Sequence, residues 1–179
     1  MTSDWDSLQA ARAGDESAWR LLYQRHSPTL LRTTLFVTGS HDAAEDIVQE
    51  AFIRLLKRRL PPVRGNFQAY LHTIAYRLAL KEIQRSQRYH PGANPHTIRD
   101  GAPSPLEAYL NSERDKGIAA IIDALPQPQR DVLVLRFYGG HSYREIARMT
   151  RTPLGTVKSR MFHAVRTCRH HLREKGITP

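Results

Sequence analysis

Apolar positions recur at helical intervals along most of the chain, and no stretch shows the two-residue alternation of a half-buried strand. Asp4 to Ala13 predicts a short first helix that stops near Gly14, and Asp15 with Glu16 favours a new helix start through the helix dipole. Trp19, Leu22, Tyr23, Leu30 and Leu31 then follow at helical spacing until Gly39-Ser40, with Pro28 expected to kink or interrupt the run. From Asp42 to Leu60, Ala44, Ile47, Val48, Ala51 and Leu55 make one stripe. Phe67 to Arg88 repeats the pattern through Leu71, Ile74, Ala75 and Leu78. Further on, Ile118, Ile121, Ile122 and Leu125 form an apolar side. Pro126 opens a helix carrying Val132, Leu133, Leu135 and Phe137, which Gly139-Gly140 ends.

The breaks between these runs divide the chain. Pro61-Pro62 and the turn Arg64-Gly65-Asn66 separate two helices. Tyr89 to Pro103 holds Pro91, Gly92, Asn94, Pro95, Gly101 and Pro103 without periodic apolar residues, which reads as a linker. Ser104-Pro105-Leu106-Glu107 then restarts a helix, with Ser104 as cap, Pro105 in the first turn and Glu107 closing a capping box. The expected fold is all-α: two small helical domains joined by a flexible linker. The boundaries fall at 1–89, 90–104 and 105–179, with a helix-turn-helix in the C-terminal domain.

That helix-turn-helix is the most informative stretch. Ser142 can cap a short helix, and Glu145 can close its box. A polar turn, Thr150-Arg151-Thr152, leads to Pro153, placed where a first turn tolerates a missing amide proton. The following helix has Val157, Met161, Val165, Cys168 and Leu172 on one side. Ser159, His163, Arg166 and His170 lie opposite, flanked by Lys158, Arg160, Phe162 and Arg173. A capped short helix, a tight turn and a longer basic amphipathic helix make a helix-turn-helix candidate, a motif whose second helix enters the DNA major groove. The competing reading is a surface helix with a solvated basic face.

Charge adds a second contact. The 179 residues carry a formal net charge of +10, unevenly spread. Residues 61–90 hold 5 basic and 1 acidic side chain, and residues 126–179 hold 11 and 3, while 1–60 balance at 8 and 8. Two basic blocks imply two polyanion contacts. In the first block Arg77, Lys81, Arg85 and Arg88 form one stripe, with Phe67, Tyr70, His72 and Tyr76 upstream. Cations beside aromatic rings suit unpaired nucleic acid, although Phe67 and Tyr70 suit a core equally well. The helix from Asp42 sets Asp42, Glu45, Asp46 and Gln49 beside Phe52, Ile53 and Leu56, away from its main stripe. This implies a partner-docking face, unless both sides are packed in a bundle.

Other features are blander. No apolar run approaches membrane-spanning length, and Asp4, Trp5 and Asp6 stand where a secretory signal would be basic and then apolar. A cytoplasmic protein is expected. A lone cysteine, Cys168, allows no internal disulfide and no thiolate-rich zinc site, and reads as a small buried side chain. No clustered carboxylate or histidine motif supports an enzyme such as a nuclease, and no metal or cofactor is expected. One reading of these surfaces is a conventional DNA-binding regulator whose N-terminal domain senses a ligand or dimerises.

The motifs and their order resemble the extracytoplasmic-function (group four) sigma factors of bacterial RNA polymerase. Asp46-Ile-Val-Gln-Glu-Ala-Phe52 resembles the family's core-polymerase-docking motif. Arg64-Gly65 with Phe67-Gln-Ala-Tyr-Leu71 and Ile74-Ala75 resembles the segment that reads the minus-ten element. Leu125-Pro126 with Arg130 to Phe137 resembles the start of the second conserved domain, and Gly155-Thr-Val-Lys-Ser-Arg160 its minus-thirty-five helix. The resemblance implies a non-enzymatic subunit that binds core RNA polymerase and promoter DNA, with an anti-sigma factor as a candidate third partner. It implies docking by Asp46, Gln49, Glu50 and Phe52. It implies minus-ten recognition by Arg64, Asn66, Phe67, Tyr70, Tyr76, Arg77, Lys81 and Arg85. It implies minus-thirty-five recognition by Pro153, Thr156, Lys158, Ser159, Arg160, Phe162, His163 and Arg166. Tyr70, Arg77 and His163 depart from the family's usual tryptophan, asparagine and arginine. Thr150-Arg151 replaces a common Leu-Gly in the turn.

Overall fold

The computed structural model describes residues 3–57, 65–89 and 113–174, with the side chains of 113–116 excepted. Among the described residues the regular structure is entirely helical. The expected linker, the Ser104 cap, Pro61-Pro62 and Arg64 lie outside them.

The described residues of the N-terminal half form four helices: α1 (Asp4–Arg12), α2 (Glu16–Thr38), α3 (His41–Lys57) and α4 (Phe67–Tyr89). Ser3 caps α1 in a capping box with Asp6, and Asp15 caps α2 by accepting from the Ser17 and Ala18 amides. These side chains take up amide donors that a helix start leaves without partners. Pro28 does not interrupt α2, which runs unbroken to Thr38 and ends on left-handed Gly39. Pro28 and Gln24 are both exposed, so the carbonyl deprived of its helical donor faces solvent. Leu22 and Leu30 stay buried on either side and hold the two turns in line.

The C-terminal half is α5 (Glu113–Asp123), α6 (Gln127–Phe137), α7 (Tyr143–Thr150) and α8 (Leu154–Glu174). Val132 and Leu135 on α6, Ile146 and Met149 on α7, and Val157 and Met161 on α8 pack into one cluster. Phe137 is a correction to the apolar pattern: it is 67% exposed, outside the core that the rest of α6 enters. Its neighbour Tyr138 turns inward instead, onto Phe36 at 4.5 Å.

The two halves are not merely tethered. Leu71, Ala75 and Ala79 of α4 share a buried cluster with residues of α6, α7 and α8. Leu35 and Phe36 of α2 share a second one with Ala119, Ile122, Val134 and Ala164. At roughly 1.5–3 kcal/mol for each large apolar side chain buried, a continuous core of this kind holds the halves together.

Candidate nucleic-acid and partner interfaces

The helix-turn-helix forms as its residues dictate. Ser142 Oγ accepts from the Glu145 amide at 3.3 Å, and the Ser142 amide donates to Glu145 Oε2 at 2.8 Å. The turn then requires left-handed backbone at Arg151, which has φ 51°. Among the described residues it is the sole non-glycine with positive φ. The Arg151 amide still closes α7 by donating to Ala147. An L-residue is strained there, so Arg151→Gly is expected to raise the unfolding free energy by about 1 kcal/mol. A higher urea midpoint at an unchanged slope would show it.

Past the turn, the Val157 amide donates to the Pro153 carbonyl at 3.0 Å and starts α8. Val157, Met161 and Ala164 face inward. That leaves Pro153, Thr156, Lys158, Ser159, Phe162 and Arg166 exposed along one solvent-facing side. Phe162 is 64% exposed, an unusual place for a phenylalanine. The Arg166 guanidinium lies 5.9 Å from its ring centroid and the His163 ring 5.5 Å away. Phe162 and Arg166, with Tyr143, Lys158 and Arg169, line an open groove between α7 and α8. Cations around an exposed ring can bind phosphates and touch an apolar base edge at once. Arg160 is only half-exposed. It bonds Thr152 Oγ1 at 3.4 Å, and its charge reaches Tyr76 of α4. Cys168 is half-buried, and burial raises its thiol pKa, which leaves an unreactive side chain.

The minus-ten candidates separate into two groups. Arg77, Lys81 and Arg85 are exposed in one row on α4, with Arg85 also 3.3 Å from Glu82. Asn66 is exposed and caps α4 through the Ala69 amide at 3.2 Å. The aromatic members are mostly internal. Phe67 is buried between Trp5 at 5.1 Å and His26 at 5.0 Å. Tyr76 is buried and donates to Asp131 Oδ2 at 2.8 Å across the joint between the halves. Burial, reinforced by that carboxylate, pushes its phenol pKa well up. Of the rings, Tyr70 keeps partial exposure, tilted against Trp5 at 5.4 Å. Trp5 itself was not singled out by the chain's periodicity as a site-building residue. Its indole donates to the Gly65 carbonyl at 2.8 Å and fixes the turn that leads into α4.

On α3, Asp46 and Gln49 are exposed and Glu50 is paired with Arg54 at 2.6 Å. Phe52 is a correction to the docking set as an exposed contact: it is 1% exposed. It sits under Trp19 at 5.5 Å and Tyr23 at 4.9 Å. The apolar residues exposed beside the acidic row are Ile53 and, from α2, Tyr23. Tyr23, Ser27, Leu31, Glu45, Val48 and Gln49 line a groove between α2 and α3. The signal for Tyr23 lay in α2 having apolar residues on more than one side.

Comparison with known proteins identifies the family. A family model described as Sigma-70 region 2 matches residues 22–89, and one described as Sigma-70, region 4 matches residues 116–168. The chain is 34% identical to the ECF RNA polymerase sigma factor SigL of Mycobacterium tuberculosis, over 96% of this chain and 98% of that one. It is 32% identical to the RNA polymerase sigma-H factor of Pseudomonas aeruginosa, over 90% and 89% of the two chains. It is 31% identical to the ECF RNA polymerase sigma factor SigE of Mycolicibacterium smegmatis, over 89% of this chain but 64% of that longer protein. In fold it is similar to the sigma factor RpoE of Bartonella quintana, solved with the anti-sigma factor NepR. The TM-score is 0.70 at 22% identity, covering 87% and 96% of the chains. It is also similar to CnrH, solved with the cytosolic domain of CnrY, with a TM-score of 0.67 at 19% identity, covering 96% and 97%. Both Sigma-70 regions lie in their expected order, and relatives match almost end to end, so the chain belongs to the extracytoplasmic-function sigma factors of RNA polymerase.

Proposed function

We propose a division of labour among these surfaces, for a chain whose family role is to bind core RNA polymerase and direct promoter-specific initiation without catalysis of its own. Residues 1–89 dock on the polymerase and engage the minus-ten element, residues 90–104 connect, and residues 105–179 engage the minus-thirty-five element. Asp46, Gln49 and Glu50 present the docking face, with Tyr23 and Ile53 as its exposed apolar part and Phe52 as support from below. Arg77, Lys81 and Arg85 run along the phosphates near the minus-ten element, and Tyr70 offers a ring to an unstacked base. Thr156, Lys158, Ser159, Phe162, His163 and Arg166 face the major groove. The observation that carries this reading is the exposed cation-ringed Phe162 on a capped, correctly turned helix-turn-helix.

Action on the polymerase supports a cytoplasmic location. No described helix is long and apolar enough to cross a membrane. The RpoE relative of known structure was solved with an anti-sigma factor, which supports such a protein as a candidate regulator here.

The test is promoter-directed run-off transcription with core polymerase over a salt series. Lys158→Ala and Arg166→Ala are each expected to lower initiation and to reduce the slope of log binding against log salt by about 1. Unchanged initiation and slope in both variants would overturn the assignment of α8 to the promoter.

A further inference from the structure

The two halves meet along the buried side of α4, and three of its side chains, one turn apart, cross the joint. Gln68 Nε2 donates to the Gly139 carbonyl at 3.0 Å. Tyr76 donates to Asp131 at 2.8 Å. Between them, His72 packs edge-to-face on His141, with ring centroids 4.5 Å apart. The two rings are 2% and 1% exposed. Neither ring nitrogen of His72, nor Nε2 of His141, has a hydrogen-bond partner among the described residues. Buried polar rings without partners are uncommon. Here they lie at the contact between halves that serve different promoter elements.

Closure has a geometric consequence. It hides Tyr76 and engages Asn66 through the Glu145 carboxylate. Elements near minus ten and minus thirty-five lie about 25 base pairs apart, on the order of 80 Å of duplex at about 3.4 Å per pair. A folded body of this length is about 40 Å across. The closed chain therefore cannot span both.

We propose that His72 and His141 form an acid-released latch: as neutral rings they let the two halves close on each other, and as cations they repel across the joint and let the halves part.

The surroundings agree with a neutral closed pair. Burial, with added repulsion from His141 and from His26 of α2, pushes His72 down to about 3. Burial pushes His141 down to about 4, against the pull of Glu145 from α7. Other charged groups at the joint are already engaged. Asp4 of α1 holds His26 at 3.0 Å, Asp131 of α6 accepts from Tyr76, and Arg136 of α6 donates to the His141 carbonyl at 3.1 Å. In the parted state both rings reach solvent and return to about 6.5. The closed state thus binds fewer protons than the open one, so its stabilisation is nearly complete above about pH 7.5 and is lost progressively as pH falls through about 6.5 towards 4. Two such rings lower the closed-to-open ratio about threefold between pH 7.5 and 6.5, and about a hundredfold by pH 5.5.

The latch rests on the promoter reading only for its consequence, so its test contains neither DNA nor polymerase. Small-angle scattering and far-ultraviolet circular dichroism are recorded on the full chain at pH 7.5, 6.5, 5.5 and 5.0. The radius of gyration is expected to rise below pH 6.5 while helicity is retained. The double variant His72→Phe/His141→Phe is expected to stay closed at every pH. If that pair fails to fold, His141→Phe alone is expected to shift about tenfold, where the wild type shifts about a hundredfold. An unchanged radius in the wild type down to pH 5.0 would overturn the latch. So would expansion that the variants share undiminished, or helicity lost in step with expansion. Each of those results leaves the run-off test of promoter reading unaffected.

Discussion

Replacing Phe52 by alanine is expected to lower the unfolding free energy by about 3–5 kcal/mol. The residue stands in a stretch that resembles a docking motif, yet its ring is 1% exposed and touches Trp19 and Tyr23. Truncation leaves a cavity under both, and Tyr23, which lines the α2–α3 groove, loses the ring that backs it. Asp46→Ala gives the contrast. Asp46 is exposed, so its loss is expected to move stability by no more than about 0.5 kcal/mol while weakening capture of core polymerase. Urea denaturation and a core-enzyme pull-down on both variants separate the two roles. A Phe52→Ala protein with wild-type stability and weakened capture would place that ring on the partner rather than in the core.

Gly139→Ala is expected to cost about 2–3 kcal/mol, although Gly139 needs no unusual backbone angle. A Cβ there would stand 2.7 Å from the Leu135 carbonyl oxygen and 2.7 Å from His141 Cδ2. The ring could move, but a backbone oxygen inside a capped helix end cannot move freely. Any shift would also disturb the Gln68 bond to the Gly139 carbonyl. Gly140→Ala is the control. It has φ 70° and nothing within 4 Å of a new Cβ, so it should cost only about 1 kcal/mol of backbone strain. Equal urea midpoints for the two variants would remove the steric argument.

Helix positions, caps and the helix-turn-helix were legible because they depend on local chemistry. Ser142 and Glu145 announce a helix start in any context, and the α8 stripe needs no knowledge of its neighbours. The left-handed turn at Arg151 was signalled only through the resemblance, where glycine is usual at that place, because nothing in an arginine itself announces such a backbone. Tertiary choices were less legible. Phe52 and Ile53 are adjacent apolar residues on one helix, and only α2 laid across α3 buries the first and exposes the second. Phe67 and Tyr76 read as aromatics beside a basic track, and it is Trp5 and Asp131, distant in sequence, that draw them inside. The joint between the halves had no periodic signature, since His72 and His141 are polar types in core positions.

The two tryptophans stand beside different surfaces. Trp5 is locked to the Gly65 turn beside Tyr70, and Trp19 leans on Phe52 next to the α2–α3 groove. Under the proposed division of labour, their emission offers built-in optical reporters, one for strand opening and one for enzyme assembly, without any dye attached.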